Sequence, residues 1–226
     1  MDDRGFERVA AVAAAAVAGL SLLYALAYLV ITPSAQRASD VDEFYRSYLD
    51  NPTGSRLAAL CLLVSGLLVG PAVVALTRRY QAEAATPLSW ARILGVVAGF
   101  GTAAHGLVTL LGVNELADKY KTGDAATRAA VAVAHASPSE VDPRGLATFC
   151  AAGLAVLVVG LSIRGREPRF GLLGVVLGVD MVVLFLATAA GVGPLILLTG
   201  GLASVVLGPM WWVTVARRLW GAAPTS

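Results

Sequence analysis

The chain has 226 residues, of which 57% are hydrophobic and 14% are charged, and its formal net charge is +2. Soluble globular proteins usually contain about 45–50% apolar and about 25% charged residues. This composition excludes soluble enzymes, disordered chains and disulfide scaffolds, and a small net charge without a basic stripe excludes a nucleic-acid partner. We therefore predict an all-α polytopic membrane protein that forms a single integral membrane domain over residues 1–226.

Six apolar stretches are long enough to span a bilayer, which takes about 20 residues of helix. They cover approximately residues 7–31, 56–78, 89–113, 145–164, 170–191 and 194–216. Each must be helical because lipid offers no partners for backbone hydrogen bonds. The first apolar run is about twice as long as the apolar region of a signal peptide, so we interpret it as a retained helix.

Charged residues at the helix ends predict the orientation. If both termini are cytoplasmic, the short inner connections carry more arginines than acids, and the long outer loops carry more acids than cations. This distribution follows the positive-inside rule. Together with the high content of Ala, Val and Gly, it predicts a multi-pass protein of a bacterial cytoplasmic membrane.

The two long outer loops each contain a predicted short helix. Over residues 40–50, the residues Val41, Phe44, Tyr45, Tyr48 and Leu49 form one apolar face, and Ser39 or Asp40 is a candidate N-cap. This amphipathic helix is interpreted either as a lid over an outer opening or as an interfacial helix with its aromatic rings at the headgroup level. A second helix is predicted from Asp124 to Ala136, ending at Ser137 and Pro138.

Small residues recur at four-residue spacing, which favours close helix packing in membranes. We predict packing within one bundle, with a dimer interface as the alternative. The residues are Gly66 and Gly70, Gly95 and Gly99, Gly174 and Gly178, and, as one stripe of the last helix, Gly200, Ser204 and Gly208.

Tryptophans and cysteines carry weaker signals. The four tryptophans lie toward the cytoplasmic helix ends and predict an aromatic belt there: Trp90, Trp211, Trp212 and Trp220. Cys61 and Cys150 lie at similar depth and either form a disulfide or serve as small buried residues.

Asp180 is the sharpest chemical feature because it lies near the middle of the fifth span. A charge at this depth costs at least about 2.5–3.5 kcal/mol, so Asp180 should face protein and hydrogen-bond to His105, Thr102 or Ser204. Thr102, His105 and Thr109 form one polar seam on the third span. If the third and fifth helices are neighbours, Asp180 and His105 are candidate catalytic residues of an acid–base pair; the alternative is a structural carboxyl.

Other polar residues extend this candidate site. Asn114 and Glu115 lie at the outer end of the third helix, and Tyr24 and Tyr28 lie one turn apart on the first. The candidate ligand-binding residues are Tyr24, Tyr28, Thr102, Thr109, Asn114, Glu115 and Ser204. We find no spacing typical of a metal, haem or nucleotide site, and we predict neither a metal nor a cofactor.

The stretch from Asp124 to about Gly178 resembles a known family. An acid followed by an Ala-rich helix leads to Pro-Arg-Gly-Leu-Ala at 143–147, then to Gly-Leu-Ser-Ile-Arg at 160–164 and Glu-Pro-Arg-Phe-Gly-Leu-Leu-Gly at 167–174. This pattern resembles a family of six-span bacterial membrane proteins known only as a domain of unknown function. The resemblance implies six spans and no particular activity.

Three functions remain compatible with the sequence. The first is a non-enzymatic protein that binds a lipophilic molecule or serves as an accessory subunit of a membrane complex. The second is a membrane-embedded enzyme that acts on a lipid, quinone or isoprenoid through Asp180 and His105. The third is a proton-coupled transporter. The expected partners are membrane lipids, a lipophilic small molecule, and partner subunits or further copies of the chain.

Overall fold

The computed structural model of the chain describes residues 3–37, 40–137 and 141–221, and these ranges contain helices and no strand. In chain order the helices are α1 (Asp3–Ile31), α2 (Val41–Asp50), α3 (Thr53–Arg79), α4 (Ala85–Thr122), α5 (Ala125–Ala136), α6 (Pro143–Ile163), α7 (Pro168–Ala190) and α8 (Gly193–Trp220). All except α2 and α5 are long and apolar enough to cross a membrane. The prediction of an all-α bundle with six spans and short helices between them is confirmed.

The six spanning helices form a ring in chain order. Each packs against the next, from α1 through α3, α4, α6 and α7 to α8, and α8 closes the ring against α1. The start of α1 and the end of α8 lie at the same end, where Arg79 pairs with Glu7 at 3.2 Å and donates to the Gly221 carbonyl at 3.5 Å. We call this the terminal end and the adjacent half the terminal half. The opposite loop end carries α2 and α5.

Small residues let neighbouring backbones touch inside the ring. A Cβ on Gly66 of α3 would collide with the backbone of Gly99 and Ala103 on α4. A Cβ on Gly178 of α7 would meet the backbone nitrogen of Leu157 on α6 at 2.6 Å. Gly70, one turn from Gly66, has no atom within 4 Å of such a Cβ. Most of these small residues therefore serve packing within one bundle, as the sequence predicted.

Three spanning helices contain a π-helical segment, in which one residue is added to a turn. The segments are Ala27–Ile31 in α1, Leu146–Ala151 in α6 and Leu202–Leu207 in α8. In α8 the N–H of Gly208 donates to the Ala203 carbonyl, five residues earlier. Pro209 follows directly and has no N–H to continue the regular pattern.

The extra residue in α8 lies within the predicted stripe of Gly200, Ser204 and Gly208. Gly200 lies beside Leu184 of α7, Ser204 is half-buried, and Gly208 is buried. Ala203, in the same segment, packs against the core of the terminal half. The stripe therefore stays a prediction of packing within the bundle.

The tryptophans divide between the core and the surface. Trp211 is 1% exposed and stacks on Phe170 with ring centroids 4.7 Å apart. Trp90 and Trp220 are exposed at 62% and 63%. The predicted aromatic belt is therefore wrong for Trp211, because it lies on the same face of α8 as the buried Val215 and points into the ring.

Polar side chains tie the helices together at the terminal end. The Tyr80 hydroxyl, just past α3, donates to Glu167 at the start of α7. Glu167 also pairs with Arg218 of α8 at 2.7 Å, and Arg166 pairs with Glu83. Burial, followed by the hydrogen bond to Glu167, raises the pKa of the Tyr80 hydroxyl above its usual value. These contacts hold α3, α7 and α8 together at this end.

Candidate ligand site in the loop half

The face of α4 that points into the ring loses burial toward the loop end. Leu88 and Ala91 are 0% exposed and Ala98 is 2% exposed, and all three lie in the terminal half or near the middle of the ring. The same face continues at seven-residue spacing through the predicted seam, Thr102, His105 and Thr109, which are all half-buried. This face of α4 is therefore buried in the terminal half and only half-buried in the loop half.

The first helix shows the same change. Ala10, Ala14 and Val17 are at most 2% exposed. Tyr24 continues this face seven residues after Val17, and Tyr28 follows one turn later. Both tyrosines are half-buried, and their rings stack at 5.9 Å with an interplanar angle of 7°.

Helices α6 and α8 also pack tightly only in the terminal half. In α8, Trp211, Val215 and Leu219 are at most 1% exposed, whereas Thr199 is the only buried residue from Gly193 to Leu207. None of the residues Leu146–Ala151 of α6 is buried. The terminal half of α8 packs along α1, and its first two turns pack along α7. The loop half of the ring is therefore the less tightly packed half.

Several polar groups in this half have no partner. Within the part of the chain that the structure describes, the side chains of Tyr24, His105, Thr109 and Ser204 make no hydrogen bond. Polar groups at membrane depth normally find partners because lipid offers none. These half-buried groups can therefore donate to and accept from a bound molecule.

Thr102 is connected to a polar chain that the sequence analysis missed. Its hydroxyl donates to the Ala98 carbonyl at 2.8 Å and lies 3.2 Å from the Thr148 hydroxyl of α6. Asp142, 2% exposed, accepts from the backbone N–H groups of Ala147 at 2.7 Å and Thr148 at 3.2 Å. Asp142 followed by Pro143 is a helix-start signal that could have identified this cap.

Asp180 lies apart from His105. In the ring, α6 lies between α4 and α7, so the condition for an Asp180–His105 pair is not met. Asp180 lies one turn before Leu184 on the same face of α7. Leu184 lies next to α8, because a Cβ added to Gly200 would be 3.8 Å from Leu184 Cδ1. Asp180 therefore also lies toward α8. Its Oδ2 is buried and has no partner among the described residues. The predicted hydrogen bond to His105, Thr102 or Ser204 is not formed by this atom.

Ser204 is the predicted partner closest in depth to Asp180. On α7 and α8, Gly174 lies beside Trp211 and Leu184 lies beside Gly200, which puts Ser204 at the level of Asp180. Ser204 belongs to the π-helical segment and is half-buried. The two side chains share a depth without a hydrogen bond between them.

Asn114 and Glu115 have different environments at the loop end. Asn114 Oδ1 accepts from the Tyr48 hydroxyl at 2.8 Å and from Arg56 Nη2 at 2.6 Å, and so joins α2, α3 and α4. Glu115 pairs with Lys119 at 2.6 Å on an exposed face of α4. Asn114 is therefore part of a structural clamp, and Glu115 points away from the ring.

Helix α2 packs on protein rather than resting at the headgroup level. Of its two predicted N-caps, Asp40 accepts from the Glu43 N–H at 2.8 Å, and Ser39 lies outside the described residues. Phe44, Tyr45 and Tyr48 are 9%, 0% and 3% exposed and pack with Val131 of α5 against the part of α4 at the loop end. We call these three helix segments the cap. The interfacial interpretation of its aromatic face is therefore wrong.

Two ionisable rings lie inside the cap. His135 of α5 lies 4.5 Å from the Phe44 ring and 5.4 Å from the Tyr45 ring. Burial lowers the pKa of His135 below its usual value. Burial, followed by the neighbouring Tyr48, raises the pKa of Tyr45 to about 12. Both shifts favour the neutral side chains.

Metal and disulfide chemistry find no support in the described residues. Within residues 3–37, 40–137 and 141–221, no three His, Cys, Asp or Glu side chains are placed to hold a metal ion. Cys61 and Cys150 are both free thiols.

No family model matches the chain, and neither a curated protein nor a solved structure matches it significantly. The resemblance to a six-span bacterial family stays a prediction.

Proposed function

We propose that this integral membrane protein binds a lipophilic molecule in the loop half of its ring. The observation that carries the proposal is the set of half-buried polar side chains without partners, on faces that are sealed in the terminal half. His105 and Thr109, which share one face of α4 with Thr102, would bind the polar group of the molecule. Tyr24 and Tyr28 of α1 and Ser204 of α8 would contribute further polar groups from other helices of this half. The apolar walls of the helices would contact its hydrocarbon part.

Ligand binding is favoured over an enzyme because the separation of α4 from α7 leaves Asp180 without His105 as a partner. A proton carrier would need a continuous polar path through the terminal half, where the ring-facing residues Ala14, Ala91 and Val215 are 0% exposed. The role of accessory subunit stays a prediction.

A filling substitution tests the proposed function. Gly112 lies seven residues after His105 on the same face of α4, is half-buried, and has no atom within 4 Å of an added Cβ. Gly112→Leu should therefore occupy space needed by the ligand without a clash, while also favouring the helix. The matched control is Gly19→Leu on α1, where the glycine is exposed and also has free space.

The measurement is native mass spectrometry of protein extracted in mild detergent. Wild type and Gly19→Leu should retain a non-covalent lipophilic ligand, and Gly112→Leu should lose most of it with an unchanged yield of folded protein. Equal retention in all three proteins, or no ligand in any of them, would contradict the proposal.

We also propose that the protein lies in the cytoplasmic membrane of a bacterium, with its terminal end in the cytoplasm. The excess of arginines at that end supports this orientation. Single cysteines at the exposed positions Arg46 and Arg166, in a variant lacking Cys61 and Cys150, test it with a membrane-impermeant thiol reagent. In intact cells only position 46 should react, and labelling of both positions would overturn the orientation.

A further inference from the structure

One arginine at the loop end holds a positive charge without an acid beside it. Arg56, near the start of α3, donates to Asn114 Oδ1 through Nε at 3.1 Å and through Nη2 at 2.6 Å, and its guanidinium lies 5.9 Å from the centre of the Tyr48 ring. An amide and a phenol are both uncharged at neutral pH. Asp118 lies one turn beyond Asn114 on α4, but among the described residues neither it nor any other acid forms an ion pair with Arg56. The charge of Arg56 is therefore not neutralised by a carboxylate.

The contacts with Asn114 leave one edge of the guanidinium available. They use Nε and Nη2, and within the described ranges Nη1 makes no hydrogen bond. Arg56 is exposed, so this edge is accessible from outside the ring. Because Asn114 and Tyr48 already hold the side chain, an anion that binds it has less conformational entropy to offset. The planar edge presents parallel N–H donors, which match two oxygens of a phosphate.

Arg56 lies at the depth of lipid headgroups. The stretch 57–77 that follows it contains no charged residue, and Arg78 and Arg79 come directly after that stretch. At about 1.5 Å of rise per residue, the stretch covers about 30 Å, which is the thickness of the hydrocarbon core. The guanidinium therefore lies where the phosphate groups of one leaflet begin.

Exposed leucines continue from Arg56 toward the middle of the bilayer. On α3, Leu60 lies one turn after Arg56, and on α4, Leu107 and Leu111 lie two turns and one turn before Asn114. All three leucines are exposed, so in a membrane they contact acyl chains. The hydrogen bonds between Arg56 and Asn114 place the guanidinium at the end of both rows.

Close packing brings the two rows of leucines side by side. A Cβ added to Gly106 of α4 would be 2.4 Å from the backbone nitrogen of Leu63 on α3. Residue spacing puts Leu107 on one flank of this contact and His105 on the other. The exposed leucines therefore lie on the opposite flank of α4 from the polar seam.

We propose that Arg56 and the leucines beside it form a binding site for an anionic phospholipid on the outer surface of α3 and α4. The phosphate accepts hydrogen bonds from the free edge of the guanidinium, and the acyl chains lie along Leu60, Leu107 and Leu111. A zwitterionic lipid such as phosphatidylcholine carries its own cation next to the phosphate, so it gains less from the arginine. This site is separate from the ligand site proposed above and does not depend on it.

Two lipids with the same acyl chains test the proposal. Delipidated protein in mild detergent is titrated with 1,2-dioleoyl phosphatidylglycerol and 1,2-dioleoyl phosphatidylcholine, and native mass spectrometry measures the first binding event of each. Wild type should bind phosphatidylglycerol about tenfold more tightly, and Arg56→Gln should lose this preference. Arg46→Gln is the matched control, because it removes the same charge from an exposed position of α2 at the same end and should keep the preference.

Two further variants separate the charge of Arg56 from its contacts with the cap. Arg56→Lys keeps the charge without the planar fork, so it should still prefer phosphatidylglycerol. If Arg56→Gln does not yield folded protein, Leu111→Glu decides. Its carboxylate would lie one turn before Asn114 and compete with the phosphate for the guanidinium, so the preference should again be lost.

Several results would overturn the proposal. Wild type that binds both lipids equally has no anionic site, and an unchanged preference in Arg56→Gln or an equal loss in Arg46→Gln would remove Arg56 from the site. A preference retained in Leu111→Glu would have the same meaning. Displacement of phosphatidylglycerol by excess inorganic phosphate would indicate a site for the free anion, because such a site makes no use of the leucines.

Discussion

The terminal half and the loop half of the ring use the same helix faces differently. In the terminal half, small and large apolar side chains alternate and are sealed, as Ala91, Ile163 and Trp211 show with exposures of 0%, 0% and 1%. In the loop half, the same faces carry hydroxyls and an imidazole that remain half-buried. The ion pairs of the terminal end reinforce the first arrangement, and the cap lies above the second.

The difference separates stability from function. Close packing yields many van der Waals contacts, which hold helices together in lipid where hydrophobic association is weak. The loop half makes fewer such contacts, so the terminal half and the cap must hold its helices in place. Substitutions in the terminal half should therefore affect stability, and those in the loop half should affect binding.

The largest expected effect is that of Trp211→Ala. Removing a buried indole that stacks on Phe170 should leave a cavity and lower the free energy of unfolding by about 3–5 kcal/mol. Thermal unfolding in detergent, followed by size-exclusion chromatography, measures the loss. Trp220→Ala is the matched control, because this side chain is 63% exposed, and it should stay within about 0.5 kcal/mol of wild type.

The contrast between the halves becomes sharper with Tyr24→Ala. This substitution removes a large aromatic side chain that faces the inside of the helix ring in the loop half. Because Tyr24 is only half-buried, the free energy of unfolding should fall by only about 1 kcal/mol. An equal loss of stability for Tyr24→Ala and Trp211→Ala would show that the two halves are packed alike.

A smaller effect is expected at the cap when the pH falls. Burial lowers the pKa of His135 in the folded protein, so the folded state favours the neutral ring. The stabilisation this gives is present above the pKa of the unfolded state, about 6.5, and is lost as the pH falls below it. Hydrogen exchange of α2 and α5, corrected for intrinsic rates, should therefore increase between pH 7.5 and pH 5.5.

His135→Phe is the matched variant because it keeps a ring against Phe44 and Tyr45 without a titrating group. Its cap should exchange at the same corrected rate at both pH values, and the helix around Trp211 should be unaffected in either protein. If hydrogen exchange of the wild-type cap does not change with pH, protonation of His135 does not control the stability of the cap.

Local patterns in the sequence were sufficient to predict the helices. Apolar stretches of about 20 residues predicted all six spans, because each must satisfy its backbone internally in lipid. The periodicity of residues 40–50 predicted α2 with Ser39 or Asp40 as its N-cap, and the structure has Asp40 there; Asp124 marked the start of α5. The seam of Thr102, His105 and Thr109 was also visible, because a shared helix face depends only on spacing.

Only the tertiary structure decided which faces meet. The ring order puts α6 between α4 and α7 and so separates His105 from Asp180, although both are polar residues in spans that run in the same direction. Neighbours in a ring are set by the summed fit of whole helix surfaces, such as Gly66 against Gly99, which no single residue reveals.

The π-helical segments and the burial gradient likewise needed the structure. Sequence shows Pro209, but whether the chain kinks or adds a residue depends on the packing on either side. Ala203, inside the π-helical segment of α8, packs against the core of the terminal half. Spacing determined which side chains of α1 and α4 share a face, and only the structure showed that these faces are buried in the terminal half and half-buried in the loop half.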